Sequence, residues 1–161
     1  MTDWNNKEEV LEAVREDGME LENASEELQE DPEILKLAKE SIIEVIKYRE
    51  LYTTSGDIGT LEDCPEQFRS DDEVVLAALQ GDGENLKFAS DEIKNNRSFV
   101  LTALSEGDGH ALEYASEALR ADKEVVLATV KSDCTALIFA SDALRADEEV
   151  VLEALKWWED G

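Results

Sequence analysis

Carboxylates are the most abundant groups in this sequence that could do chemistry, and one of them recurs at a regular spacing. Asp82, Asp108 and Asp133 each follow a helical segment, at intervals of 26 and 25 residues. Carboxylates placed on successive turns of a fold could bind cationic groups of a partner protein. We therefore take these three aspartates as candidate partner-binding residues.

The sequence carries no catalytic or metal-binding pattern. The single histidine, His110, has no Cys or His neighbours at the spacing of zinc ligands. The segment GDGEN resembles the start of a calcium-binding loop, but counting from Asp82 the sixth residue is Lys87 instead of Gly and the twelfth is Ile93 instead of Glu. No nucleophile elbow, phosphate-binding glycine loop or HExxH motif occurs. We therefore predict a protein that is not an enzyme and that needs no cofactor or metal.

The elements that hold the candidate residues come from a repeat of about 25 residues. Segments 119–130 and 144–155 read LRADKEVVLATV and LRADEEVVLEAL. A second motif alternates with this one and reads LENASEEL, LKFASDEI, LEYASEAL and LIFASDAL. A single helix pair cannot bury its apolar face alone, whereas stacked pairs share a continuous core. The sequence predicts an all-α fold, a short α-solenoid of stacked helix pairs that forms one domain over residues 1–161.

The first motif has the apolar spacing and the end signals of a helix. Val75, Ala78 and Leu79 stand at i, i+3 and i+4, on one helical face. An Asp or Asn before each copy predicts N-caps at Asp31, Asp72, Asn96, Asp122 and Asp147. A glycine after a copy predicts a left-handed helix end or a turn at Gly18, Gly83 and Gly109.

The second motif contains a serine whose place is taken by Pro65 in one copy. Proline is tolerated in a first helical turn but not in a helix interior. Two interpretations stay open: a break at this position with the serine capping a short extra turn, or one continuous helix in which Pro65 is a local exception. The serines concerned are Ser25, Ser90, Ser116 and Ser141.

The second unit, residues 31–70, is irregular. Its first helix is about twice the usual length and ends at Tyr52, and the unit carries an insertion of 16 residues. Insertions into repeats often carry specificity. Tyr48, Tyr52 and Asp57 are therefore further candidate partner-binding residues.

An aromatic residue holds the same place in three successive units, at Phe88, Tyr114 and Phe139, and Asn23 holds it in the first. Stacking would align these residues into a row. The row is either a ladder in the core between repeats or an exposed binding strip.

Charge narrows the class of partner. With 15 basic and 41 acidic residues the net charge is −26, which repels nucleic acid and anionic membrane surfaces. The sequence has neither a signal peptide nor an apolar stretch long enough to span a membrane. Cys64 and Cys134 fall at non-equivalent places in the repeat, so we expect reduced thiols and a cytoplasmic protein.

The line A-S-x-x-L-R-x-D-x-E-V-V-L-x-A, seen at residues 115–128 and 140–154, resembles a bacterial family of helical repeats of unknown function. The resemblance is good over residues 72–155, fair over 6–31, and poor around the insertion. It implies a helical-repeat fold and a binding role, and it brings no catalytic residues.

Several functions fit these observations. We expect an acidic repeat protein that binds a partner protein with a basic surface and inhibits or scaffolds it, as a monomer or as a weak homodimer through the last helix. One alternative is a nucleic-acid mimic that blocks a DNA- or RNA-binding enzyme, of the anti-restriction or anti-CRISPR type, and another is a toxin-immunity protein. An enzyme is disfavoured, and a further alternative is a structural protein whose acidity serves solubility alone.

Overall fold

A computed structural model describes residues 2–52, 61–106 and 109–159, except for the side chains of residues 48–52, 106 and 157–159. These residues are helical with turns between them, which confirms the predicted all-α class. They form two compact units, Met1–Ala78 and Leu79–Gly161. The single domain and the solenoid over the whole chain stay predictions.

The first unit is built around two long helices. Helix α1 (Lys7–Glu16) packs on α3 (Pro32–Tyr52), and a 3₁₀ helix, η1 (Gly18–Asn23), packs against both. The remaining elements are α2 (Glu26–Gln29), η2 (Glu66–Ser70) and α4 (Asp72–Gly81), the last of which extends past the end of this unit. The long helix that the insertion predicted is therefore confirmed as α3.

In the second unit three long helices pack in sequence. Helix α6 (Arg97–Glu106) contacts α9 (Lys123–Ser132), and α9 contacts α11 (Glu148–Glu159). Short elements connect them and pack on their sides: η3 (Gly83–Phe88), α5 (Asp91–Asn95), α7 (Ala111–Tyr114), α8 (Glu117–Arg120), η4 (Cys134–Phe139) and α10 (Asp142–Arg145).

The second motif is broken at its serine, so the first of the two interpretations of Pro65 is confirmed. A 3₁₀ turn ends before the serine, whose backbone is extended, and a short α-helix starts after it. The hydroxyls of Ser90 and Ser116 accept hydrogen bonds from the backbone N–H groups of Ile93 and Leu119. Pro65 takes the cap position of η2, where its missing N–H costs nothing.

The same break lets consecutive short helices bond to each other through their backbones. Ser116 donates its N–H to the carbonyl of Lys94 at 3.0 Å, and Ser141 donates to that of Arg120 at 2.9 Å. In the first unit Ser25 donates to the carbonyl of Trp4 at 2.9 Å. Residues 2–6 therefore occupy the place that the end of a short helix occupies in later repeats.

Four of the five predicted N-caps are confirmed. The side chains of Asp31, Asn96, Asp122 and Asp147 accept backbone N–H groups of the helices that follow them. The prediction of Asp72 is wrong, because Asp71 caps α4 by accepting from Glu73 and Val74, and Asp72 is the first helical residue.

Of the two predicted arrangements at the glycines, the left-handed helix end is wrong, since no described glycine has a positive φ, and the turn is confirmed, since Gly18 and Gly83 each start a 3₁₀ turn. Gly18 starts η1, and the reason for a glycine there is a close approach. A Cβ at Gly18 would overlap the carbonyl oxygen of Ala38 and lie 2.8 Å from Cγ1 of Ile42. The repeat therefore uses this glycine to bring a turn against the backbone of the next long helix.

The cores consist of the predicted apolar stripes. Val75, Ala78 and Leu79 of the first motif are at most 2% exposed, and Leu86, Ala89 and Ile93 of the second are at most 5% exposed. Ile34, Ala38, Ile42 and Ile46 continue the buried stripe along α3.

Candidate functional site

The recurring aspartates cap the 3₁₀ turns. Asp82 accepts the backbone N–H of Glu84 at 2.8 Å, and Asp133 accepts that of Thr135 at 2.9 Å and also its hydroxyl. Asp17 does the same for Met19 in η1. Capping alone accounts for the recurrence of this residue, so recurrence does not point to a partner. The role of Asp82 and Asp133 in partner binding stays a prediction.

The other predicted residues lie outside what the structure describes. The backbone of α3 includes Tyr48 and Tyr52, but their side chains are not among the described ones, and Asp57 and Asp108 lie in segments 53–60 and 107–108. The structure therefore brings none of these four together with Asp82 or Asp133.

Cations join consecutive long helices through a repeated contact that we call the clamp. In each clamp one Lys or Arg bridges the cap aspartate of the next long helix and the glutamate two residues after it. The ammonium of Lys123 lies 2.9 Å from both Asp147 and Glu149. The same contact is made by Lys7 to Asp31 and Glu33, by Lys39 to Asp71 and Glu73, and by Arg97 to Asp122 and Glu124.

In a clamp, one oxygen of the cap carboxylate accepts backbone N–H groups of its own helix, and the other binds the cation of the preceding helix. In Asp31, Oδ1 accepts the backbone N–H groups of Glu33 and Ile34, whereas Oδ2 binds Lys7 at 2.8 Å. The Lys7 ammonium, helped by those N–H groups, holds the pKa of Asp31 below its usual range, and Lys123 does the same for Asp147. The clamp carboxylates are thus committed to the fold.

A different group of carboxylates surrounds an open groove beside Trp4, which we call the Trp4 groove. Its volume is about 620 Å³. Two elements and the N-terminal segment supply its walls: α1, the start of η1, and residues 2–4. The lining residues are Thr2, Trp4, Glu9, Glu12, Ala13, Glu16, Asp17 and Glu20.

Local structure holds the Trp4 groove in place. Glu9, Glu12 and Glu16 share one face of α1, since they stand at i, i+3 and i+7. Trp4 is held through its carbonyl, which accepts the N–H of Ser25, and Glu9 accepts the N–H of Asp3 at 2.7 Å. Trp4 and Glu9 are half-buried, and Glu12, Glu16 and Glu20 are exposed.

The chemistry of the Trp4 groove suits a cationic side chain. Five carboxylates line it without a single Lys or Arg, so no cation of the described chain neutralises them there. An indole ring attracts cations and offers an apolar surface to the methylene stem of Lys or Arg. The groove could thus bind a lysine or arginine of another molecule by charge and by contact with the ring.

Three segments of the chain, residues 6–49, 71–120 and 122–159, match the model of a domain of unknown function, DUF4116. The chain belongs to this family. Neither a curated protein nor a solved structure matches it.

The DUF4116 segments fit the boundaries that the capped helices define. They start at Asn6, Asp71 and Asp122, and each of these residues caps a long helix. The family's unit therefore begins at a cap and includes the clamp carboxylates, whereas Trp4 precedes the first matched segment.

The aromatic row of this DUF4116 chain is neither fully buried nor fully exposed. Phe88, Tyr114 and Phe139 are all half-buried. Lys87 places its ammonium 4.8 Å from the centre of the Phe88 ring, and His110 meets Phe139 edge-on at 5.6 Å. Partial burial raises the pKa of Tyr114. Half-burial fits neither a fully buried ladder nor a fully exposed strip, so both interpretations of the row stay predictions.

The remaining reactive groups show no site. Neither Cys64 nor Cys134 forms a disulfide with a described residue, and burial raises the pKa of Cys64 to about 12, which keeps it protonated. Within the described ranges no three His, Cys, Asp or Glu side chains converge to hold a metal ion. No helix in those ranges is both long and apolar enough to cross a membrane.

The Trp4 groove was not predicted from the sequence, because part of its lining lies in residues that precede the repeat. The available signal was a tryptophan followed by Glu9, Glu12 and Glu16 at helical spacing. These residues form the polar side of α1, and apolar periodicity reports only the opposite side.

Proposed function

We propose that this protein is a non-catalytic binding protein that recognises lysine or arginine side chains on a basic surface of a partner protein, and so inhibits or scaffolds that partner. The observation that carries the proposal is the Trp4 groove, which five carboxylates and an indole ring line with no cation among them. Three of these carboxylates, Glu12, Glu16 and Glu20, are exposed.

The charge of the rest of the molecule supports the same proposal. Eight Lys and Arg side chains of the described chain pair with its own carboxylates, in the clamps and in pairs such as Lys87 with Glu84. The excess of acidic residues is therefore left on the surface, and the net charge of −26 would accelerate the approach of a basic partner. Cysteines outside disulfide bonds suit the reducing cytoplasm, where we place the protein.

The experiment is a pull-down with the full chain as bait, at about 0.05 M and about 1 M salt, followed by mass spectrometry. Three baits are compared: the wild type, Trp4→Ala with Glu12→Gln and Glu16→Gln, and a control with Glu27→Gln and Glu30→Gln. The control loses the same charge at two exposed residues of the same unit that do not line the groove.

We expect the wild type and the control to capture a partner with a basic surface at low salt and to release it at high salt. The groove variant should fail to capture this partner. Equal capture by the groove variant, or no salt-sensitive partner, contradicts the proposal. Displacement of the captured partner by DNA or RNA would identify it as a nucleic-acid-binding enzyme, and the protein as a mimic.

A further inference from the structure

The last long helix, α11, exposes a position that α1, α6 and α9 bury. The residue eight places after the cap is Val14 in α1, Leu104 in α6 and Val130 in α9, and each is at most 3% exposed. Its equivalent in α11, Leu155, is 52% exposed. Leu152, three residues earlier, is 53% exposed. The two leucines stand next to each other on one helical face.

In the other helices the next long helix covers this face. The first helical residue lies on the same stripe as these positions, because residues 1, 5 and 8 of a helix share a side. In α1 and α9 this first residue is Lys7 or Lys123, and its clamp contacts show that the stripe is turned toward the following helix. The α11 stripe therefore lacks a covering helix among the described residues, and it consists of Glu148, Leu152 and Leu155.

The charge at the start of the α11 stripe is reversed. A cation at this place in α1, α6 and α9 binds the acidic start of the following helix, whereas α11 has Glu148 there. Glu148 is exposed and forms no ion pair with a described residue. The nearby cations are occupied: Lys123 holds Asp147 and Glu149, and Lys156 lies 2.7 Å from Glu153.

We propose that the α11 stripe is a docking surface for an amphipathic helix of a partner protein, with apolar side chains on Leu152 and Leu155 and a Lys or Arg beside Glu148. The inference goes beyond the proposed function, because this surface lies in the second unit and uses no residue of the Trp4 groove. A second copy of the chain, the weak homodimer through the last helix predicted from the sequence, fits this surface less well than a basic partner does. Its capped helices would bring carboxylates such as Glu8 or Glu33 to Glu148, and each copy carries a charge of −26.

The test measures fluorescence anisotropy of labelled synthetic peptides with the full-length protein. One peptide is an amphipathic helix with leucines on one face and lysines on its flanks, and the matched peptide carries glutamates in place of the lysines. Four proteins are compared: wild type, Leu152→Asp with Leu155→Asp, Glu148→Lys, and Ile138→Asp. Ile138 is a large apolar residue of the same unit that is 64% exposed but lies on η4.

We expect the lysine peptide to bind the wild type and the Ile138→Asp control alike. The double aspartate variant should bind it about tenfold more weakly although the protein has become more acidic, which separates apolar docking from general charge attraction. Glu148→Lys should shift the preference toward the glutamate peptide, and a misfolded protein would not show such a reversal.

Three results would overturn the proposal: no binding of the lysine peptide, equal binding to the double aspartate variant, or an unchanged preference in Glu148→Lys. Analytical sedimentation of the same samples tests whether a second copy of the chain occupies the stripe instead. A wild-type dimer that the double aspartate variant dissociates would assign the stripe to contacts between copies and would also overturn it.

Discussion

Carboxylates in two regions of this molecule do different work. At the clamps each aspartate meets a cation and the N–H groups of its own helix, so its charge is balanced inside the fold. In the Trp4 groove five carboxylates meet no cation. The difference shows that acidic residues in an acidic protein are not interchangeable: some position the helices, and others meet no cation, and we propose that these bind a partner. Four predictions test this division.

The largest expected effect on stability comes from Gly18, where a turn beside the Trp4 groove packs on α3. Gly18→Ala should lower the free energy of unfolding by about 1–3 kcal/mol, because the new Cβ meets the backbone of Ala38 and cannot be accommodated by a side-chain rotation. Gly109→Ala should cost less, since its Cβ meets the side chain of Asp133. Urea denaturation measures both, and the opposite order would contradict the packing described for Gly18.

Substitutions in the Trp4 groove should change the affinity for a partner and not lower the free energy of unfolding. Replacing Glu12 and Glu16 with Gln removes two of the five uncompensated carboxylates, and we expect the affinity for the captured partner to fall about tenfold. The free energy of unfolding should stay the same or rise, because these residues form no ion pair within the groove. Titration calorimetry with the purified partner and urea denaturation give the two values, and a marked loss of stability would mean that the groove belongs to the fold.

A substitution in a clamp should lower the free energy of unfolding and leave the affinity for a partner unchanged. Lys39 is 27% exposed and bridges Asp71 and Glu73, so Lys39→Ala should lower the free energy of unfolding by about 0.5–1 kcal/mol. The matched control is Lys36→Ala on the same helix, where the lysine is 78% exposed and 3.9 Å from Glu40. The control should be silent, and equal losses in the two variants would remove the distinction between a clamp and an ordinary surface pair.

The smallest effect is a dependence on pH that one clamp should produce. Because the folded pKa of Asp31 is lowered by Lys7, this pair stabilises the fold above the unfolded pKa of about 3.9 and loses its contribution as pH falls through the lower folded pKa. The difference in unfolding free energy between wild type and Lys7→Ala should be constant from about pH 7 to pH 5 and shrink below about pH 4. A difference that grows with acidification would have the wrong sign.

The sequence predicted those parts of the fold that depend on neighbouring residues. Pro32 after Asp31 marked the start of α3, and Pro65 in place of a serine made a break in the second motif one of two interpretations, because proline limits its own backbone. Asp71 and Asp72 show the limit of prediction from neighbouring residues. Either could cap α4, and the choice depends on the register that packing imposes.

What was not predictable depends on contacts between distant residues. Gly18 could have been a left-handed helix end or a place of close approach, and only the position of Ala38 decides between them. The clamps join residues about one repeat apart, and the Trp4 groove joins α1 to residues that precede the repeat. Such pairings follow from how the elements pack.

The clamp aspartates both cap a helix and bind a cation, and this double role has a consequence for protein design. Asn, Ser and Thr can cap a helix, but only an acidic cap can also bind the cation of the helix before it. This chain has Asn6 at the cap of its first long helix, and Asp31, Asp122 and Asp147 at caps that receive a cation. A consensus repeat drawn from this chain should therefore specify Asp at every cap that receives a cation, together with the basic residue one repeat earlier, and can leave the first cap free.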